Sequence, residues 1–301
     1  MEKKKIDVIC MNDGKHYEAK LGMTLSELAR EAGISSVKDE KTGIEYPIVA
    51  ALVDHTLKEL SFNIVLSHEV EFIGINHPDG RRCYVRSLCF VLQKAVRELY
   101  PDKILVVDHS LPNGLYCELK DKFQTDEGIN PVYFIKLDEI DAIKEKMKEI
   151  IGKNLPFLKT KMPMKEAVKM FKEQNQPDKA ELLSSLGRIF CSIYWLDGTA
   201  DTFHGPLIPS TAYLQTFDLI GFSRGFYIQL PSLVDFNKVT PIKRQSKIAA
   251  ALEEYSKWID IMHIRGIGSL NKAILNGEAI NIINLSEVFL ERKYASIADQ
   301  I

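Results

Sequence analysis

Apolar and polar positions alternate with the period of a strand at the start of the chain. In Ile6-Asp7-Val8-Ile9-Cys10 the residues Ile6, Val8 and Cys10 share one face. Asn12-Asp13-Gly14 then supplies hairpin-turn chemistry, and residues 16–20 read as the returning strand. Thr24 and Glu27 have capping-box spacing ahead of an apolar stripe at Leu25, Leu28 and Ala29, and Gly33 stands where that helix should end. Residues 49–53 and 70–75 are two further strands. The order predicts a small mixed α/β unit over residues 1–76.

Beyond it, residues 76–81 read as a polar turn, and a period near 3.6 predicts a helix over 87–99. Strands follow at 104–107 and 114–119. Leu137, Ile140, Ile143, Met147 and Ile150/Ile151 mark a second amphipathic helix, with acids in its first turn and Gly152 after its end. Shorter helices are expected over 165–173 and 179–186. The last third is helical. Residues 246–262 place Ile248, Leu252, Tyr255, Ile259 and Met262 on one face, a short helix ends near Gly277, and a final helix starts at Ser286. Its apolar positions continue to Ile301, which reads as an internal boundary rather than a native terminus.

Composition changes this picture little. The 301 residues are 46% hydrophobic and 27% charged with a formal net charge of −2, so no general attraction to nucleic acid is built in. The five cysteines are scattered with no Cys-x-x-Cys pair, which fits buried thiols in a reducing compartment. The lysines at 3–5 precede no apolar core of a signal peptide, and no run nears the ~20 apolar residues of a membrane span. A soluble, cytoplasmic protein is expected.

Gly22-Met23-Thr24-Leu25 and Ala50-Ala51-Leu52-Val53-Asp54, in that strand-helix-strand order, resemble a TGS domain, the ubiquitin-like β-grasp module of threonyl-tRNA synthetases and some GTPases. Tyr84-Val85-Arg86-Ser87-Leu88-Cys89-Phe90, Asn113-Gly114-x-Tyr116 and Asp201-Thr202-Phe203-His204-Gly205-Pro206-Leu207 resemble the editing domain of the same synthetases. The resemblance implies an α+β fold: the β-grasp, then a threonyl/alanyl-tRNA synthetase second-additional-domain-like domain over 77–235, then a helical segment over 236–301. In the synthetases a His-x-x-x-His pair and a Cys-x-x-x-His pair converge on the ester. Laid on this chain, those positions fall on Arg86, Phe90, Phe203 and Leu207. None of these is a metal ligand or a general base at neutral pH.

The same phrases, with His109-Ser110-Leu111-x-x-Gly114, Phe217-Asp218-Leu219 and the tail phrase Gly268-x-Leu270-Asn271, resemble the N-terminal region of bacterial nucleoside kinases of the uridine kinase type. That resemblance implies a following P-loop kinase domain as partner, with ATP and Mg²⁺ needed there alone and no cofactor in this chain. A P-loop needs Gly-x-x-x-x-Gly-Lys-Ser/Thr. The glycines at 74–80, 221–225 and 266–268 lack it.

Two functions are therefore expected of such a chain. The first is a noncatalytic regulatory, ligand-sensing or oligomerising region of a nucleoside kinase. The alternative is a freestanding tRNA-binding or mischarged-tRNA deacylating module. Candidate contacts of the vestigial cleft are Arg86, His109, Ser110, Asn113, Tyr116 and His204, for a nucleotide or tRNA ligand; no catalytic residue and no metal ligand is assigned. Arg86 has a structural reading beside the functional one, pairing with an acid such as Asp108, Glu118 or Asp201. Phe90, Phe203 and Leu207 read as core. Arg81, Arg82, Arg86 and Arg97 form either a basic strip or a solvated helix face.

Overall fold

The computed structural model describes residues 5–111, 113–122, 131–242, 246–264 and 266–301, and the basic residues 1–4 lie outside it. The fold is mixed α+β. The chain divides into one unit of Met1–Lys159 with Tyr194–Ile242 and another of Thr160–Ile193 with Lys243–Ile301.

The first unit begins with β1 (Lys5–Cys10), β2 (Lys15–Lys20), α1 (Leu25–Glu31), β3 (Ser36–Lys38), β4 (Glu45–Val53), β5 (Thr56–Lys58) and β6 (His68–Gly74). They form a sheet of order β2-β1-β6-β4-β3, with β5 on β4. β1 and β6 are parallel, and the other pairs antiparallel. The capping box is made: the Thr24 N–H donates to Glu27 Oε2 at 2.8 Å, and the Glu27 N–H returns to Thr24 Oγ1 at 3.2 Å. Leu25 and Leu28 then drop against Val8, Cys10 and Val70, all buried.

α2 (Pro78–Leu99) starts nine residues before the expected helix. Pro78 can open a helix because its missing N–H has no partner in the first turn, and His77 caps it by accepting from the Asp79 N–H at 3.2 Å. The polar segment at 76–81 is thus mostly first turn. Gly80 is required there, since a Cβ would sit 2.0 Å from the Gly74 carbonyl oxygen. The helix is thereby seated on the end of β6.

β7 (Lys103–Leu111), β8 (Gly114–Asp121), β9 (Val132–Tyr133) and α3 (Leu137–Gly152) follow. The chain leaves the first unit along β10 (Leu158–Pro163), α4 (Met164–Glu173) and α5 (Pro177–Ser185). It returns through β11 (Phe190–Leu196), β12 (Thr199–Asp201), β13 (Asp218–Phe222) and β14 (Gly225–Gln229). A second antiparallel sheet runs β13-β14-β8-β7, with β9 on β8. Alternation divides its faces. Cys117, Leu119, Phe226 and Ile228 join α2 and α3 in the main core, while Tyr116 and Tyr227 belong to a separate cluster.

In the second unit α6 (Ser246–Ile261), α7 (Ile267–Leu275) and α8 (Ala279–Ala298) follow α4 and α5 in chain order. Gly268 lets α7 lie against α5, for a Cβ would be 2.7 Å from the Leu182 nitrogen, and Asn271 Nδ2 donates to Ser185 Oγ at 3.0 Å. α8 starts at Ala279, not Ser286. The Ser286 hydroxyl is not a cap but donates back to the Ile282 carbonyl at 2.8 Å, inside the helix.

Candidate functional site

The two segments that resemble the editing domain are brought face to face. β11 and β12 form a hairpin with Tyr194 opposite Asp201, turning at Asp197-Gly198, both at positive φ. α2 holds the hairpin at its tip: buried Lys94 donates to the Asp197 carbonyl at 2.9 Å and pairs with Glu98 at 2.7 Å. Arg97 Nη1 donates to the Ala200 carbonyl at 3.1 Å. About two helical turns before Lys94, Ser87 Oγ accepts from the Ile208 N–H at 3.0 Å while donating to the Cys83 carbonyl at 2.8 Å. The strand exit at 201–209 is therefore laid across the middle of α2.

Arg86, Phe90, Phe203 and Leu207, the four positions that the resemblance singles out, lie together there. Phe90 is fully buried and Leu207 is 2% exposed. The Phe90 and Phe203 rings lie 5.2 Å apart, and Phe157 is 5.9 Å from Phe90. Tyr194 closes the edge, 6.0 Å from Phe203, and its hydroxyl donates to Glu59 and to the Gly205 carbonyl at 3.2 Å. Among the described residues Arg86 has no acidic partner. Its Nε and Nη2 donate to the Pro206 carbonyl at 2.9 and 2.8 Å. Gly205, at φ +127°, leaves room for the guanidinium, which lies 3.0 Å from where a Cβ would be.

No thiol here is poised to act. Desolvation pushes Cys83 up to about 11 and Cys89 up to about 12, so both are protonated at neutral pH. Among the described residues no three His, Cys, Asp or Glu side chains approach closely enough to hold a metal ion.

The predicted contacts separate into two places. Arg86 lies at the filled cleft, with exposed His204 on the segment facing it. His109, Ser110, Asn113 and Tyr116 sit on the β7–β8 hairpin, and the Tyr116 side chain is on the sheet face turned away from α2. There His109 lies 5.0 Å from the Tyr116 ring, and its Nδ1 meets Asp108 at 2.8 Å. The Tyr116 hydroxyl donates to Glu118 Oε1 at 3.0 Å; burial first, then that carboxylate, drives its pKa upward. Ser110 is exposed, and Asn113 takes positive φ at the turn while its carbonyl accepts from the Leu230 N–H at 2.9 Å.

The arginines of the expected strip also part company. Arg97 holds the hairpin, whereas Arg81, Arg82 and Arg86 line one cleft of about 460 Å³ with Asn76, Pro78, Val85 and Leu233. Residues 78, 82 and 86, and 81 and 85, are spaced to share a helix face, but only if the helix begins at Pro78. Leu233 had no sequence signal at all.

No family model matches this chain. Over 192 residues, 63% of its length, it is 30% identical to a threonine–tRNA ligase of Francisella tularensis subsp. novicida (strain U112). It is 29% identical over the same length to those of subsp. tularensis (strain SCHU S4 / Schu 4) and subsp. holarctica (strain LVS). The match spans 29% of each enzyme, less than a third of their length. The chain thus contains a threonyl-tRNA-synthetase-like region. No described helix is long and apolar enough to cross a membrane.

Proposed function

We propose that this chain is a noncatalytic recognition module, one that keeps the synthetase editing frame and binds RNA of the tRNA type without hydrolysing an ester. The carrying observation is the cleft itself. The four positions that resemble the editing quartet carry Arg86, Phe90, Phe203 and Leu207, which offer neither a metal ligand nor a general base, and Phe90 and Phe203 pack 5.2 Å apart. The similarity to threonine–tRNA ligases supports a tRNA-related role. Residues 1–76 are read as a TGS domain of β-grasp type, supported by a parallel β1–β6 pair flanked by antiparallel strands and crossed by one helix. Residues 77–235 are the editing-like domain and 236–301 a helical segment.

A second reading makes the same chain the regulatory, ligand-sensing or oligomerising region of a uridine kinase-type nucleoside kinase. Gly268 and Asn271, from the phrase that resembles those kinases, have a packing role here, seating α7 on α5. A P-loop kinase domain would then be the partner, and ATP and Mg²⁺ would belong to it.

The test pairs binding with chemistry. Deacylated tRNA should be retained on filters with the chain at ~50 mM salt and lost towards ~200 mM, as phosphate contacts require. Seryl-tRNA should be hydrolysed no faster than in buffer. Hydrolysis above that background, lost in Arg86→Ala, would restore the deacylase; absence of retention at low salt would remove the RNA reading and leave the kinase one.

A further inference from the structure

We infer that the cleft lined by Arg81, Arg82 and Arg86 is a binding site for a nucleotide phosphate. The argument begins with how its charges are held. Arg81 Nη2 donates to the Pro231 carbonyl at 2.8 Å, and Arg86 is fastened to the Pro206 carbonyl by two N–H groups. Both guanidiniums are thus fixed in place by neutral oxygens. Among the described residues neither has a carboxylate partner, whereas Arg82 is paired with Asp79.

A guanidinium oriented by carbonyls keeps its full charge and its remaining donors. Arg81 retains Nε and Nη1, and Arg86 retains Nη1. Partial burial already disfavours the charge on Arg81, so an arriving anion would relieve an uncompensated cation rather than compete with an existing ion pair. Forked planar donors suit the oxygens of a phosphate better than a single lysine would.

Apart from Asn76, the rest of the wall is apolar. Val85, Leu233 and Pro78 line a space of about 460 Å³, within the ~300–1,000 Å³ range of sites that take a small organic molecule. An inorganic anion would leave that wall unused. A phosphate carrying a nucleoside fills both parts. The phosphate has two sources, a free nucleotide or a residue of an RNA strand. The inference deepens the recognition reading above and rests on it for the strand form alone.

Calorimetric titration of the whole chain tests it, with four probes: a nucleoside 5′-monophosphate, the same nucleoside without phosphate, inorganic phosphate, and a short single-stranded RNA. The monophosphate is expected to bind saturably, and the nucleoside and inorganic phosphate at least about tenfold more weakly. Arg81→Gln and Arg86→Gln should each weaken the monophosphate by a similar factor. Because both also release a structural carbonyl, Leu233→Glu is the cleaner variant. Leu233 is 77% exposed, so the change adds a carboxylate that competes with the phosphate for the guanidiniums without removing core packing or either guanidinium's carbonyl bond. It too should weaken binding at least about tenfold, with the melting temperature unchanged. Unaltered affinity in Leu233→Glu, or no saturable binding of monophosphate or RNA, overturns the site. Monophosphate binding without RNA retention keeps the site and removes the RNA reading. Retention of RNA that none of the three substitutions weakens does the reverse.

Discussion

α2 and α8 are nearly equal in length, 22 and 20 residues, and both carry apolar side chains at helical spacing. Their fates differ. α2 buries eleven residues, among them Ser87 and Lys94, while α8 buries none. On α8 Ile280, Ile283, Leu290, Tyr294 and Ile297 all remain exposed, and the contacts it makes fall on another stripe, where Phe289 stacks on Trp258 at 5.4 Å and Lys293 meets Glu254 at 2.7 Å. An apolar period therefore fixes that a helix forms, not that it becomes core. What makes α2 core is polar: the side chains of Ser87, Arg86, Lys94 and Arg97 take up backbone groups of the 197–208 segment and hold it in register against the apolar stripe.

The largest test of that contrast is Phe90→Ala. Removing a fully buried ring packed against Phe157 and Phe203 leaves a void that the two half-buried neighbours only partly close. A loss of about 3–5 kcal/mol in denaturant unfolding is expected. A loss below ~1 kcal/mol would mean that the aromatic cluster is loosely packed and that its burial is not what holds α2.

Ser87→Ala comes next. Its hydroxyl satisfies the buried Ile208 N–H, and alanine leaves that donor orphaned at a cost of about 1–3 kcal/mol. Ser87→Thr, which keeps the hydroxyl, separates the lost bond from crowding. The amide proton of Ile208 should exchange faster in the alanine variant only.

Much of α2 could be read in advance, but not its ends or its partners. Leu88, Val91, Leu92 and Ala95 follow a clear period, and all four are buried. The starts expected at Ser87 and Ser286 fall inside helices, where both hydroxyls donate back to the carbonyls of Cys83 and Ile282. The strands from β10 to β14 are short, and three of them have three, five and five residues, too few for a period to show. The arginine cleft depends on Leu233, which is 147 residues from Arg86 in the chain, and on the true start at Pro78. Long-range juxtaposition of that kind leaves no local pattern. The β7–β8 contacts were legible as residues but not as a face, because whether Tyr116 or Cys117 points at α2 depends on register.

A smaller effect belongs to the solvent side of α3. Glu149 accepts from Lys153 and Lys146, which hold its carboxyl down at about 2, below its ordinary 4.5. A depressed carboxylate stabilises the fold fully above its unfolded value and loses that contribution as pH falls from there through the folded one. Wild type should therefore lose slightly more stability than Glu149→Gln between pH ~5 and ~2, and the two should respond alike above that window. Urea midpoints taken across the range provide the measurement.

The smallest expected effect decides whether α8 is a one-sided helix. Phe289 and Leu290 are adjacent in sequence and about 100° apart around the axis, so they sample its two stripes with almost the same position along the chain. Phe289 stacks on Trp258, while Leu290 is 45% exposed. Phe289→Ala should cost roughly 1 kcal/mol or more and shift the emission of Trp258, best seen with Trp195 replaced by Phe. Leu290→Gln should change stability by less than about 0.5 kcal/mol and leave the emission in place. Equal losses from the two would mean that both stripes are covered and that α8 resembles α2 after all. A loss from Leu290→Gln that grows with protein concentration would locate the cover in another copy of the chain, since only an intermolecular contact depends on concentration.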